Sequence, residues 1–365
     1  MTYRVWVLFC VSLVCVGWNG NSASGQDAPE RPGTWEPVDS PVFVSLRGAW
    51  AVDDDVLWAS GAKGSVLRSI DGGASWRAIE VTGHAETDFR DIHAWDSRNA
   101  LIMAAGAPPV LLRTEDGGEH WREVLRHADP GAFFDAIAFR NENEGWAVAD
   151  PIDGRLEIFA TNDGGWHWEA LPAEQRPECD AAEHLYAASG TALEPLGTHD
   201  WLIGLGGAPE AGNRVEARLL HFHGESGEWR SRDVPLGTSE SAGIFSVVTW
   251  GTSGVAVVGG DYQEPEGTMG IAAFSADSGV RWQSPQASPR GYRSCVRSLE
   301  WQGKPFLVSC GPNGVDASAN GGETWWPLST TGYHALSFSP SGMAGVAVGS
   351  DGRVARWVPR DATKE

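Results

Sequence analysis

The chain has 365 residues, with 48 Asp and Glu against 27 Lys and Arg, a formal charge of −21 and 42% hydrophobic residues. That apolar content excludes wholesale disorder, and the acidic balance excludes nucleic acid as a partner and docking on an anionic membrane through a polybasic patch. What remains anomalous is the 19 Trp, several times the usual number for such a length.

In chain order, the first feature is an apolar stretch, Val5 to Val16, preceded by Arg4 and followed by the small-residue run NGNSASG. This is the tripartite pattern of a secretory signal and is shorter than a membrane span needs. Cleavage is expected near Ser24, with an uncleaved N-terminal anchor as the alternative. Cys10 and Cys15 lack the preceding small residue that lipoprotein processing prefers. No later segment reaches a spanning length, so the mature chain is expected to be exported, periplasmic or extracellular, without inserting in a membrane.

A repeat explains the tryptophans. The strings SIDGGASW (69–76), TEDGGEHW (114–121), TNDGGWHW (161–168) and SANGGETW (318–325) share the frame Ser/Thr-x-Asp-x-Gly-x-x-Trp, the Asp box or BNR repeat. Two worn copies, FHGESGEW (222–229) and FSADSGVRW (274–282), lie between them. In each box the Asp accepts backbone hydrogen bonds in a tight turn, and the Gly takes conformations that a Cβ forbids. The Trp packs its ring on the turn and between neighbouring sheets. These assignments make Asp71, Asp116 and Asp163, and Trp76, Trp121, Trp168, Trp229, Trp282 and Trp325, structural.

Each box follows one β-prone run and most lead into another, and two further runs precede it, for example FRDIHAW and NALIMAAG. Every unit therefore reads as four antiparallel strands, a to d, with the box at the c–d turn: one blade of a β-propeller. Six blades are visible. A seventh is split, because the C-terminal runs supply strands a, b and c only, while TWEPV (34–38) resembles the run after the first box. Pairing of the N-terminal strand with the last blade would close the ring and leave no exposed edge. With Trp35 included, the blade tryptophans are spaced by 41, 45, 47, 61, 53 and 43 residues. The sequence thus predicts an all-β, single seven-bladed propeller of four-stranded antiparallel blades over 34–358, after a signal peptide (1–24) and a linker (25–33) and before a tail (359–365).

Three cysteines survive cleavage, an odd count that excludes full pairing within one chain. Cys295 and Cys310 lie symmetrically about Gln302–Gly303 and would face each other across a hairpin. A cross-strand disulfide in an oxidising compartment and two buried free thiols both fit this placement. Cys179 has no assigned role.

Beyond the boxes, SLRGAW, ASGAKGSVLRS, GIFSVV, GGDYQEP, GYRSCV, GPNG and GYHALSF resemble the propellers related to the photosystem II stability and assembly factor, over nearly the whole mature chain. In photosynthetic organisms such proteins act as lumenal chaperones holding a newly made membrane subunit, and relatives also occur where there is no photosynthesis. The resemblance implies a propeller that binds a protein or peptide. Asp boxes alone are shared with sialidases, other glycoside hydrolases and sortilin-type receptors.

In a propeller, the starts of strands a and the b–c loops surround one mouth of the central channel, opposite the Asp-box rim. Aligned strand starts give a first column of Arg47, Arg90, Phe134, Tyr186, Ile244, Tyr292 and Tyr333. The second holds Gly48, Asp91, Asp135, Ala187, Phe245, Arg293 and His334, and the b–c loops add Asp150, Asp261, Tyr262 and Asn313. The candidate binding residues are therefore Arg47, Arg90, Asp91, Asp135, Asp261, Tyr262, Tyr292, Arg293 and His334, clustered as convergent polar groups at a cleft. A structural reading competes, in which the three arginines pair with Asp91 and Asp135 to hold the inner strands.

The residue types also admit a sialidase-like or other glycoside hydrolase, or a carbohydrate binder, but the arginine motif at the start of sialidase chains is missing and no Tyr–Glu pairing can be placed. No phosphate loop, dinucleotide fingerprint or Ser nucleophile elbow is present. His221-x-His223 is the one close histidine pair, able to chelate from one strand face, but no further His or Cys lies near it in the chain. The reading is a non-catalytic, monomeric propeller without cofactor or metal. Its expected partner is a protein or peptide segment of an exported or membrane protein.

Overall fold

The computed structural model describes residues 30–106, 108–207 and 216–360. The expected signal peptide, most of the linker and the last five residues lie outside the described residues. By internal contacts the chain divides into Met1–Arg31 and Pro32–Glu365, and the second unit is the propeller.

Seven antiparallel sheets follow one another along this unit. Their innermost strands are Leu46–Ala51, Phe89–Ala94, Phe134–Phe139, Leu193–Leu196, Ala242–Trp250, Cys295–Trp301 and Ala335–Phe338, which number blades 1 to 7. Six blades have four strands. The fifth has three, and its fourth position is reduced to a single bridge between Phe274 and Gln283. The ring closes as the sequence predicts: Gly33–Val38 pairs antiparallel with Val354–Pro359, placing Trp35 opposite Trp357.

Burial explains the sequence pattern across a blade. Strand b of blade 1, Leu57–Gly61, has neighbouring blades on both faces and is buried throughout, so its residues are continuously apolar or small. The outer strand Arg77–Glu80 buries Ile79 alone and is otherwise charged or small. The core lies between blades: Trp58, Val66 and Ile79 of blade 1 pack with Ile92, Ile102 and Leu112 of blade 2.

The Asp boxes form one hydrogen-bonded motif. In the first, Ser69 Oγ donates to Asp71 Oδ1 (2.7 Å) and accepts from Gly73 N (2.9 Å), and Asp71 Oδ1 accepts from Ser75 N (2.9 Å). The same bonds recur at Thr114–His120 and Thr161–His167, and at Ser318–Thr324 with Asn320 in place of Asp. The copy at 274–282, worn in sequence, is complete in geometry: Ser275 Oγ donates to Asp277 Oδ1, which accepts Arg281 N at 2.8 Å. Ser278 there takes φ 59°, the left-handed conformation that glycines supply elsewhere, as at Gly72 and Gly117. The Trp168, Trp282 and Trp325 indoles each donate to the glycine carbonyl three residues earlier, at 3.0 Å. Blade 4 departs from the motif, its Trp229 indole donating instead to Gln175 O at 2.8 Å.

Candidate functional site: the channel mouth opposite the boxes

Strand a opens with the same irregularity in four blades. A register shift leaves Arg47, Arg90, Asp135 and Phe245 unpaired between regular partners, each in a β-bulge. A bulge re-aims the extra side chain out of the alternating pattern, and here it supplies the mouth. The observed equivalence corrects the sequence alignment by one residue: Arg47 and Arg90 correspond to Asp135 and Phe245, not to Phe134 and Ile244.

In blade 6 the shift is two residues, and it removes Arg293 from the mouth. Leu46, Phe134, Ile244, Arg293 and Tyr333 each donate their amide to the preceding blade's second-strand end, at Gly349, Ala105, Leu205, Gly259 and Gly311 respectively. Arg293 thus occupies a position that other blades fill with a buried apolar or aromatic side chain, and it is 0% exposed. Its Nε donates to Asp316 Oδ2 at 2.9 Å, Nη2 contacts the same oxygen, and Nη1 donates to the Tyr292 carbonyl at 2.9 Å. Arg290 Nε takes the other Asp316 oxygen at 2.9 Å. The expected pairing of arginines with Asp91 and Asp135 is not formed.

Asp91 is a strap between blades. Its buried carboxylate accepts Ile92 N and, from blade 3, Ile137 N, both at 2.8 Å. Ser246 does the same between blades 5 and 6, accepting Val296 N at 2.9 Å. Asp135 is also fully buried, and neither carboxyl oxygen has a well-formed hydrogen bond among the described residues. Burial, then the nearby Asp150 charge, pushes its pKa well above the usual carboxylate range, with Arg90 and the Ala187 amide opposing. Asp261 sits on the rim, accepting Gln263 N at 2.8 Å.

Five predicted residues do converge. Arg47, Arg90, Tyr262, Tyr292 and His334 line one cavity of about 600 Å³, with Phe133, Asp150, His184, Tyr186 and Phe245. One wall is aromatic: Tyr186 and Phe245 stack at 3.8 Å, Tyr292 meets Phe245 edge-on at 4.7 Å, and half-exposed Tyr262 stands edge-on to the first two at 6.3 Å. The other wall is cationic. Arg90 Nε donates to Asp88 Oδ2 at 2.8 Å, and its guanidinium lies 5.5 Å over Phe133. Arg47 makes no hydrogen bond or ion pair among the described residues; burial and the neighbouring Arg90 lower its pKa, while Asp88 at longer range opposes them. A guanidinium stays protonated in proteins, so Arg47 is a charged fork without a partner.

His334 Nδ1 contacts the Leu46 carbonyl at 3.1 Å, and burial followed by the Arg47 charge brings its pKa down to about 4. Asp150 Oδ1 accepts Leu185 N at 3.0 Å, and burial raises its pKa. The Tyr292 hydroxyl has no carboxylate partner among the described residues, and burial pushes its pKa up, the opposite of what activates a phenolic nucleophile. Phe133 and His184 were missed by sequence reasoning. Phe133 stands one residue before the buried strand start, as Tyr292 does, so sliding the columns by one would have found it.

The described residues therefore define an Asp-box propeller with an arginine and aromatic cleft at the mouth opposite the boxes. Residues 30–175 match the family model described as photosynthesis system II assembly factor YCF48, and the resemblance read from the sequence holds. Among solved structures, YCF48 bound to D1 peptide is similar at 17% identity, covering 91% of this chain and 97% of that one, with a TM-score of 0.61. YCF48 from Cyanidioschyzon merolae is similar at 17% identity over 90% and 100%, with a TM-score of 0.61. The Neurospora crassa Pan2 WD40 domain reaches a TM-score of 0.62 at 9% identity over 91% and 97%. These likenesses show the propeller fold. No curated protein matches the chain.

Proposed function

We propose that the protein is an exported, non-catalytic propeller that holds an extended segment or chain terminus of another exported or membrane protein in the Arg47–Arg90 mouth, in an assembly or scaffold role. The observation that carries this reading is the Arg47 guanidinium, without a hydrogen bond or ion pair among the described residues, lining one cavity of about 600 Å³ together with the stacked Tyr186–Phe245 pair. Arg47 is free to clamp a carboxylate in a bidentate way, while the stacked Tyr186–Phe245 face and Tyr262 take apolar or aromatic side chains. The similar YCF48 structure that holds a D1 peptide supports a peptide as the occupant.

A photo-crosslinking residue at Tyr262, exposed at the rim of the cleft, tests this in the producing cells. Adducts should map by mass spectrometry to one extended or terminal segment of an exported or membrane protein and vanish when Arg47 and Arg90 are also replaced by Ala. Adducts that persist in the Arg47→Ala, Arg90→Ala background, or none at all, would refute the reading.

A further inference from the structure

A second site lies in blade 4, away from the mouth. Strand b of this blade, Asp200–Gly204, and strand c, Glu216–His223, pair so that Leu202 opposes His221. Two residues along, Asp200 and His223 fall on the same face as that pair, because side chains alternate with period two. Asp200 supplies the ligand missing from the histidine pair in the sequence, where it stands 21 residues before His221 and carries no motif.

The three side chains are already converged. Asp200 Oδ2 lies 2.8 Å from His221 Nε2 and 3.3 Å from His223 Nδ1, and the imidazole rings are 3.9 Å apart. One donor atom from each of the three falls within 4.8 Å of the others. The second Asp200 oxygen is fixed by Gly224 N at 3.0 Å, which aims Oδ2 at the imidazoles. Such an outer hydrogen bond is what orients a ligating carboxylate in metal sites. His221 is 6% exposed, while Asp200 and His223 are part-exposed, so the set is anchored on one side and open to solvent on the other.

We propose that Asp200, His221 and His223 bind a borderline divalent transition cation of the Zn²⁺ type, with water in the remaining position. Ligand bonds of about 2.0–2.2 Å in a tetrahedral arrangement put donors roughly 3.4 Å apart, near the 2.8 and 3.3 Å between Asp200 Oδ2 and the two imidazoles, with all three donors within 4.8 Å. The cation takes the place of the contacts between Asp200 Oδ2 and the two imidazoles, each ring presenting the nitrogen that faces the carboxylate. The groups facing the triad are Arg230, opposite His221 in register and 3.7 Å from Glu228, and Arg140, whose charge Asp200 feels. These two cations weaken the site, and micromolar rather than nanomolar affinity is expected. Bound metal would cross-link strands b and c of a blade whose c–d turn lacks the Asp-box bonds.

Calorimetric titration of Zn²⁺ into tag-free, chelator-stripped protein tests the site, with Co²⁺ visible absorption as a second readout. One Zn²⁺ per chain, Co²⁺ d–d bands and a metal-dependent rise in the unfolding midpoint are expected. His223→Ala, at a part-exposed position, should weaken binding by at least about tenfold and erase the Co²⁺ bands. Asp200→Asn provides the same test if His223→Ala fails to fold. Unchanged affinity and bands in the folded variant, or neither heat nor bands with the parent protein, would overturn the proposal.

Discussion

The two faces of this ring are built by opposite logics. On the box face, five turns repeat the same local bonds, each closed within seven residues by a Ser or Thr hydroxyl, an Asp or Asn side chain and a glycine-like conformation. On the mouth face a repeated backbone device, the strand-a bulge, carries three kinds of side chain in four blades: Arg47 and Arg90, Asp135, and Phe245. Repetition marks what most blades use to fold, and divergence at a constant backbone position marks what the ring is free to use for recognition.

Arginine substitution tests this most sharply, because Arg293 is buried scaffold beside the mouth while Arg47 lines the cleft. Arg293→Ala leaves Asp316 buried with only Arg290 beside it, and should cost about 3–5 kcal/mol in chemical denaturation. Arg47→Ala removes a charge without an internal partner and should stay within about 0.5 kcal/mol of the parent. Equal losses would dissolve the distinction between scaffold and mouth. Next in size, Trp325→Ala, at a box indole 6% exposed, should cost about 3–5 kcal/mol, and the half-buried Trp121 less. The folded fraction of either variant should keep its peptide affinity.

Asp135 sharpens the comparison through pH. Its folded pKa is raised, so its ionisation is disfavoured in the fold, and the penalty grows as pH climbs above the ordinary carboxylate value of about 3.9. Asp135→Asn should therefore raise the unfolding midpoint at pH 7 and change it little at pH 4. A variant destabilised alike at both would show that the carboxylate is satisfied. The smallest effect is an expected constancy. With His334 protonating only near pH 4, peptide affinity between about pH 8 and 5.5 should follow the same profile in the parent and in His334→Gln, and a step near the ordinary histidine value of about 6.5 that His334→Gln removes would place a charged His334 in the cleft.

The fold was legible because its determinants are local. The Asp-box frame, the Trp spacing and the unmatched TWEPV strand specified seven blades and closure of the ring by the N-terminal strand on the last blade, where the structure sets Trp35 opposite Trp357. The three-stranded fifth blade was not, since whether a run after Trp282 pairs beyond one bridge is decided by packing against the next sheet. The mouth was half legible. Arg47, Arg90, Tyr262, Tyr292 and His334 were found, but a bulge is a register event that composition does not encode: Arg293 was aligned two residues from its place, and Asp91, correctly aligned after the Arg90 bulge, turns its carboxylate to the next blade instead of the cleft. Cys295 and Cys310 do oppose each other in register, as their symmetry about the turn implied, and stand as buried free thiols.

The central claim is that Arg47 and Arg90 read a carboxylate in a peptide. The direct measurement is fluorescence titration with matched short peptides carrying an aromatic residue near the C-terminus, one set as free acids and one as amides. Tighter binding of the acids by the parent protein, with that preference lost in Arg47→Ala, Arg90→Ala while the ring stays folded, is the expected result. Equal binding of acids and amides, or an acid preference that survives the double substitution, would contradict it.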